Sequence, residues 1–329
     1  MAASDDDLRS RWRGQPGRLE VWYTTLTDPA TGTGVWVHHE LVAPSDGSAA
    51  CGHGWITVSE PGAAPVLRRF GPDPWPAPEV GFASGPDRQV SYDGVRMSGR
   101  AGDASWELVS AASPGASPGP TLHTFPAWAW RRELLPAAQV VPRPTARWSG
   151  TVRVGERALH LRDAPGADAR IYGHGNARRW AWLHADLGDG QVCELVAAVS
   201  TRPGLDRLPP LPLVRFRLGA GGPADGPTGG RAGDWPRDPL LAAVGLRAGL
   251  RRDGFEVHGR VGRRRLRIAV DLPAAQTVEV DYRDPDGAPL LCRNSTLASA
   301  AIEITRGRSV ERSWRLVGSA HAEVGGFRG

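Results

Sequence analysis

Apolar residues recur at every second position along most of this chain. In Val35–Val42 the residues Val35, Val37 and Leu41 fall on one side, together with His39. Trp36, His38 and Glu40 fall on the other. Such period-two segments are short, and turn residues separate them. Leu19–Leu26 and Val35–Val42 flank an Asp-Pro and two glycines, which predicts a hairpin. Gly54–Glu60, Val90–Gly99, Ser105–Ser110, Trp148–Val154 and Ala158–Leu161 read as further strands, followed by Arg179–Leu187 and Gln191–Val199. From Leu246 to Val317 strands and turns alternate again. A spacing of roughly 8–12 residues between strands predicts an all-β, antiparallel sandwich or barrel. No segment keeps a helical apolar period over three turns, although Thr121–Leu135 has room for one short helix.

The two halves resemble each other. Trp36-Val37-His38-His39-Glu40-Leu41 aligns with Trp182-Leu183-His184-Ala185-Asp186-Leu187. Further on, Ser98–Gly102 with Trp106-Glu107-Leu108 aligns with His258–Gly262 with Leu266-Arg267-Ile268. The offsets of the two matches differ by about the length of the glycine-rich loop 219–233, present only in the second half. An internal duplication with one insertion accounts for this. The expected organisation is a disordered N-terminus over 1–17, a β-domain over 18–145, and a second over 146–329 that carries the loop 219–233.

Composition narrows the chemistry. All 40 basic residues are arginine, because the sequence contains no lysine. Schiff-base lysine enzymes, pyridoxal-phosphate enzymes and P-loop nucleotidases are therefore excluded. Scarce Lys, Asn and Ile point to the genome of a high-GC bacterium. The net charge is only +5, with arginine and acid interspersed, so no nucleic-acid partner is expected. The densest basic stretch, Arg263-Arg264-Arg265 with Arg267, reads as a solvated strand face or turn. The cysteines Cys51, Cys193 and Cys292 are odd in number and far apart, which fits reduced thiols and a cytoplasmic location. No apolar run reaches transmembrane length, while peripheral contact with a membrane and the oligomeric state stay open. No spacing of His38, His39, His53, His174 and His184 compels a metal site, and no metal or other cofactor is expected.

The alternation places Trp36, His38 and Glu40 in one column and Trp182, His184 and Asp186 in another, each opposite an aliphatic face. With 13 tryptophans in the chain, such columns suit a cavity wall or a domain interface. The other reading is a satisfied His–acid pair at a barrel rim.

The stretch Ile171-Tyr172-Gly173-His174-Gly175-Asn176-Ala177-Arg178-Arg179-Trp180-Ala181-Trp182 resembles the carotenoid 1,2-hydratase (hydroxyneurosporene synthase) and tocopherol-cyclase-like group of the lipocalin-like calycins. Val21-Trp22-Tyr23 through Val35-Trp36 is similar to that group's opening hairpin. Members usually carry Trp where this chain has His174, so Trp180 and Trp182 are the motif residues that transfer directly. The resemblance implies two tandem lipocalin-like β-barrels, a place in secondary metabolism, and a hydrophobic isoprenoid or polyketide-like ligand in a Trp-lined pocket. It implies cofactor-independent hydration, cyclisation or isomerisation by a general acid, with aromatic faces steadying positive charge. On this chain the candidate catalytic groups are Asp186, His184, Glu40 and His38. Trp36, Trp180 and Trp182 would line the ligand, and His174 and Asn176 would orient it. A carrier that performs no chemistry is the alternative.

Overall fold

The computed structural model describes residues 9–111, 121–132, 137–219 and 233–327. Most of the loop 219–233 and the Pro/Gly/Ser-rich break before residue 121 lie outside them. The described residues are almost wholly β and form two compact units, one holding 9–111, 121–122, 137–176 and 283–289, the other 123–132, 177–219, 233–282 and 290–327.

The sheet of the first unit runs in spatial order β4 (Val66–Pro74), β3 (Cys51–Ser59), β2 (Gly34–Ala43), β1 (Arg18–Thr27), β11 (Arg157–Gly173), β10 (Ala137–Val154), β8 (Ala104–Ala111), β7 (Arg96–Ala101), β6 (Val90–Tyr92) and β5 (Phe82–Ser84). β9 (Leu122–His123) lies off this path. The sheet curls back on itself, and Ser84 Oγ on β5 donates to Gly52 O on β3 at 3.2 Å and Asp73 Oδ2 on β4 at 2.7 Å. Val35, Val37 and Leu41 of β2 enter its aliphatic core with Trp22, Met97 and Trp148. The β1–β2 hairpin turns as its sequence demands. Asp28 Oδ2 accepts from Thr31 Oγ1 at 2.7 Å, and Gly32 takes φ +71°.

The sheet of the second unit repeats the order with β15 (Gly233–Trp235), β14 (Leu211–Leu218), β13 (Gln191–Val199), β12 (Arg179–Gly188), β21 (Ser309–Gly325), β20 (Pro289–Arg306), β18 (Arg264–Asp271), β17 (Gly254–Val261) and β16 (Leu246–Arg251). β19 (Val278–Arg283) pairs with β20 off this path. The helices α1 (Ala127–Arg131) and α2 (Pro239–Val244) are short, the former within the stretch expected to hold one. Each sheet is a lipocalin-like antiparallel barrel built on a meander, a long hairpin and a second meander.

The matched orders settle which strands correspond. The hairpin β7–β8 occupies the place of β17–β18, in line with the second sequence match. β12 occupies the place of β1, whereas the sequence match aligned it with β2, whose counterpart is β13. Neighbouring meander strands share the same two-residue alternation, so a Trp–x–His pattern does not distinguish them.

Two expected boundaries shift. Residue 145 lies inside β10, which pairs with β8 on one side and β11 on the other. The β10–β11 hairpin closes the first sheet, so the first unit runs through this hairpin to Asn176. Within the expected disordered N-terminus, residues 9–17 are held down. Ser10 Oγ and the amides of Arg11 and Trp12 donate to the Glu20 carboxylate at 2.7–3.1 Å.

Candidate functional site

The first sheet carries polar and aromatic side chains on the face opposite its aliphatic core. Strand register sets them in rows: Thr25–Trp36–Thr57, Tyr23–His38–Trp55–Arg69 and Val21–Glu40–His53. The middle row is a stack. The His38 and Trp55 rings lie 4.0 Å apart and 7° from parallel, Tyr23 is stacked on His38 at 6.4 Å, and the Arg69 guanidinium sits 5.2 Å over Trp55. Trp36 meets Trp55 edge-on at 5.4 Å. Gln139 Nε2 donates to the Tyr23 hydroxyl at 2.6 Å.

Glu40 is wholly buried among these groups. Its Oε2 lies 3.1 Å from His38 Nε2. Its Oε1 has no hydrogen-bond partner among the described residues. Burial raises its pKa from 4.5 to about 7, a rise that His53 and Arg69 oppose and Asp284 assists. Burial also lowers the His38 pKa well below its ordinary value, with Arg69 adding to the effect. Burial thus disfavours the charged form of both partners in this hydrogen bond. Trp36 Nε1, Thr25 Oγ1 and Thr57 Oγ1 on the same face are also buried and unpartnered among the described residues. Unfilled donors and acceptors gathered around an aromatic stack are the features of a site for a small molecule with a few polar groups.

The corresponding face of the second sheet holds another constellation. On β12, Trp182 and His184 are buried. Their carboxylate partner is Glu194 of the adjoining β13, with Trp182 Nε1 donating to Oε2 at 3.2 Å and His184 Nδ1 lying 2.6 Å from Oε1. His321 of β21 sits opposite His184, and burial assisted by His184 lowers its pKa to about 3. Trp180 Nε1 donates to Glu323 Oε1 at 2.7 Å, and Asn294 Nδ2 donates to Glu323 Oε2 at 3.2 Å. Burial raises the Glu323 pKa.

The structure thus gathers Trp36, His38 and Glu40 in one cluster and Trp180, Trp182 and His184 in another. Asp186 lies away from its expected column partner. It is half-exposed at the end of β12, where its Oδ1 accepts from the Gly188 amide at 2.9 Å in a turn with Gly188 at φ +83°. An acid two residues from a turn is drawn to the free amides there. His174 is exposed, with Arg18 Nη1 2.9 Å from its Nδ1. The Asn176 amide and Nδ2 both donate to Asp284 Oδ1 at 2.8 Å, fastening a turn. Among the described residues no group of three His, Cys, Asp or Glu is arranged to hold a metal ion. No helix there is long and apolar enough to cross a membrane.

Sequence reasoning missed Glu194, His321, Glu323 and Trp55, and weighed His53 only as a possible metal ligand. The legible signal for Glu194 was a single acid within the apolar run Val192-Cys193-Glu194-Leu195-Val196, and for His321 and Glu323 the alternation Ala320-His321-Ala322-Glu323-Val324.

Comparison with known proteins places this arrangement. An uncharacterised protein of Mycobacterium tuberculosis is 46% identical over 330 residues, covering 98% of this chain and 92% of that protein. Among solved structures the fold is shared with an AttH-like protein of Nitrosomonas europaea at TM-score 0.57 and 15% identity, over 94% of this chain and 93% of that one. It is shared with kievitone hydratase of Nectria haematococca at TM-score 0.55 and 8% identity, over 98% and 95% of the two chains. It is also shared with CghA, solved with Sch210972, at TM-score 0.55 and 13% identity, over 98% and 94%. The tocopherol cyclase-like family profile matches residues 99–326. With two barrels in one strand order and most of its length matched, the chain belongs to the tocopherol cyclase-like family.

Proposed function

We propose that this protein binds a hydrophobic isoprenoid or polyketide-like molecule against the Trp36–Trp55 face of the first sheet. Glu40 then moves a proton to or from the ligand in a cofactor-independent hydration, cyclisation or isomerisation. The observation that carries this reading is the Glu40 carboxyl itself. It is buried, raised to about 7, hydrogen-bonded on one oxygen to His38 and unpartnered on the other. A carboxyl that is partly protonated near neutrality can donate a proton to an alkene or carbonyl, and its conjugate base can accept one back. His38 orients the carboxyl and holds its second oxygen. Trp36, beside the stack, supplies the π face that steadies a cationic intermediate, while the faces of Trp55 are taken by His38 and Arg69. His184 with Glu194, beside Trp180 and Trp182, forms a second acid–base pair that binds polar ligand groups on its own sheet, while Asp186 holds its turn. Kievitone hydratase is named for a hydration, and it shares this fold. A role in secondary metabolism in the cytoplasm, with chemistry of the carotenoid 1,2-hydratase type, follows from the same reading.

The test pairs binding with turnover. Purified protein is extracted with organic solvent and analysed by mass spectrometry, then titrated with polyenes and prenylated phenols while tryptophan fluorescence is followed. Wild type is expected to bind and convert one class. Glu40→Gln is expected to bind with similar affinity and lose turnover by at least a hundredfold. Full turnover in Glu40→Gln overturns the proton-transfer role, recovery of bound ligand unchanged by wild type favours a carrier, and failure to bind any apolar probe ends both readings.

A further inference from the structure

The stretch Arg263–Arg267, read from sequence as a solvated face, takes a specific form in the fold. On the outward side of β16–β18, cross-strand neighbours are Arg247–His258–Arg267 in one row and Arg260–Arg265 in the next. All five side chains are exposed. Opposed side chains on antiparallel strands stand about 5 Å apart, and like charges placed so repel one another. Arg260, Arg265 and Arg267 have no ion-pair partner among the described residues, whereas Arg251 at the far end of β16 is surrounded by Asp253, Glu256 and Asp271. Two acids share this face: Glu303 of β20, opposite Arg267, and Glu256 of β17, one row along, which Arg251 holds at 3.3 Å. The directly opposed pair Arg260–Arg265 has Thr305, not an acid, as its neighbour on β20, so its repulsion is left standing.

The patch has an apolar border. α2 ends immediately before β16, and Leu241 and Val244 on it are 74% and 73% exposed. The helix is tied to the patch, since Arg247 Nη1 donates to Val244 O at 3.3 Å and the Arg260 amide donates to Gly245 O at 2.9 Å. Unpaired arginines beside two protruding aliphatic side chains match the interface of an anionic bilayer, where phosphates meet acyl chains. Nucleic acid would satisfy the arginines and leave Leu241 and Val244 without a role.

We propose that this face of the second unit, Arg247, His258, Arg260, Arg265 and Arg267 with Leu241 and Val244, docks the protein on an anionic lipid surface. The arginines contact headgroup phosphates and the aliphatic pair dips into the interface. The inference stands on this surface alone and does not depend on the Glu40 reading.

The experiment is co-sedimentation of the full chain with vesicles of phosphatidylcholine alone or with 30 mol% phosphatidylglycerol. Wild type is expected to bind the anionic vesicles selectively and to dissociate as salt rises. Each arginine contributes on the order of fivefold, so Arg260→Gln/Arg265→Gln/Arg267→Gln should weaken binding about a hundredfold. Leu241→Ser/Val244→Ser should weaken it severalfold while the salt dependence stays. A charge-matched control on the first unit, Arg96→Gln/Arg100→Gln/Arg153→Gln, should change little. Equal binding to both vesicle types overturns the proposal, as does an equal loss in the control. Vesicle binding displaced by duplex DNA, with no effect of Leu241→Ser/Val244→Ser, overturns it in favour of a nucleic-acid surface. All the substituted residues are exposed, and unchanged thermal unfolding of each variant confirms that it is folded.

Discussion

Glu40 makes a quantitative demand on the stability of the protein. Its pKa is about 7 in the fold, against 4.5 for an unburied carboxyl. In the folded state the group therefore holds its proton through a window in which the unfolded chain has released it. The stability associated with that proton is fully present below pH 4.5 and is lost as pH rises through 7. At about 1.4 kcal/mol per pH unit, the gap amounts to roughly 3 kcal/mol. Glu40→Gln keeps the shape and removes the ionisation. The variant should match wild type within about 1 kcal/mol at pH 4 and exceed its stability by roughly 3 kcal/mol at pH 8. Because other groups titrate alike in both proteins, the wild-type-minus-variant difference isolates Glu40. Urea unfolding followed by tryptophan fluorescence at half-unit pH steps gives that difference. Infrared difference spectra give the carboxyl directly, as a protonated C=O band that should vanish with a midpoint near 7 and be absent from the variant. A difference in stability that stays flat between pH 4 and 8, or an infrared midpoint below 5, refutes the reasoning.

Three further outcomes are expected. His39 and His321 are held at pKa values of about 3, chiefly by burial. Each contributes stability above pH 6.5 that is lost as pH falls toward 3, up to about 5 kcal/mol apiece, so His39→Phe should move the midpoint of acid unfolding to lower pH. The buried Glu20–Arg170 pair should lose about 3–5 kcal/mol in Glu20→Gln, because the arginine stays buried without its counter-charge; a urea-measured loss under 1 kcal/mol would contradict this. Gly175 takes φ +148°, and a Cβ there would lie 3.0 Å from the Asp284 carboxyl carbon. Gly175→Ala should therefore cost about 1–2 kcal/mol and separate Asp284 from Asn176, visible as a lower melting temperature and a lost amide protection at Asn176.

The all-β class and the duplication were legible because alternation and turn chemistry are local. Asp28, Gly32 and Gly188 turn the chain where their residue types require. Register is a long-range property and was not legible. His184 and Asp186 share a strand face by counting, yet His184 pairs with Glu194 across the sheet and Asp186 is taken by the Gly188 amide. In β2 the same counting held, because His38 and Glu40 bond within one strand and require no knowledge of the neighbour. The stacking partner Trp55 was missed for the same reason, since only pairing with β3 brings it over His38.

Two glutamates on adjoining strands show why Glu40 stands out as a working group. Glu20 of β1 is as deeply buried, but Arg170 neutralises it and Ser10 and the Arg11 and Trp12 amides fill its remaining acceptor sites. That is how a fold retains a buried charge when only structure is at stake. Glu40 has His38 hydrogen-bonded to one oxygen, the other oxygen unfilled, and an aromatic wall, with His53 opposite it and the guanidinium of Arg69 set beyond Trp55. An apolar residue at that position would stabilise β2 without leaving an acceptor unfilled. The fold keeps a carboxyl there at a cost in stability, and the cost is intelligible if a ligand supplies the missing partner.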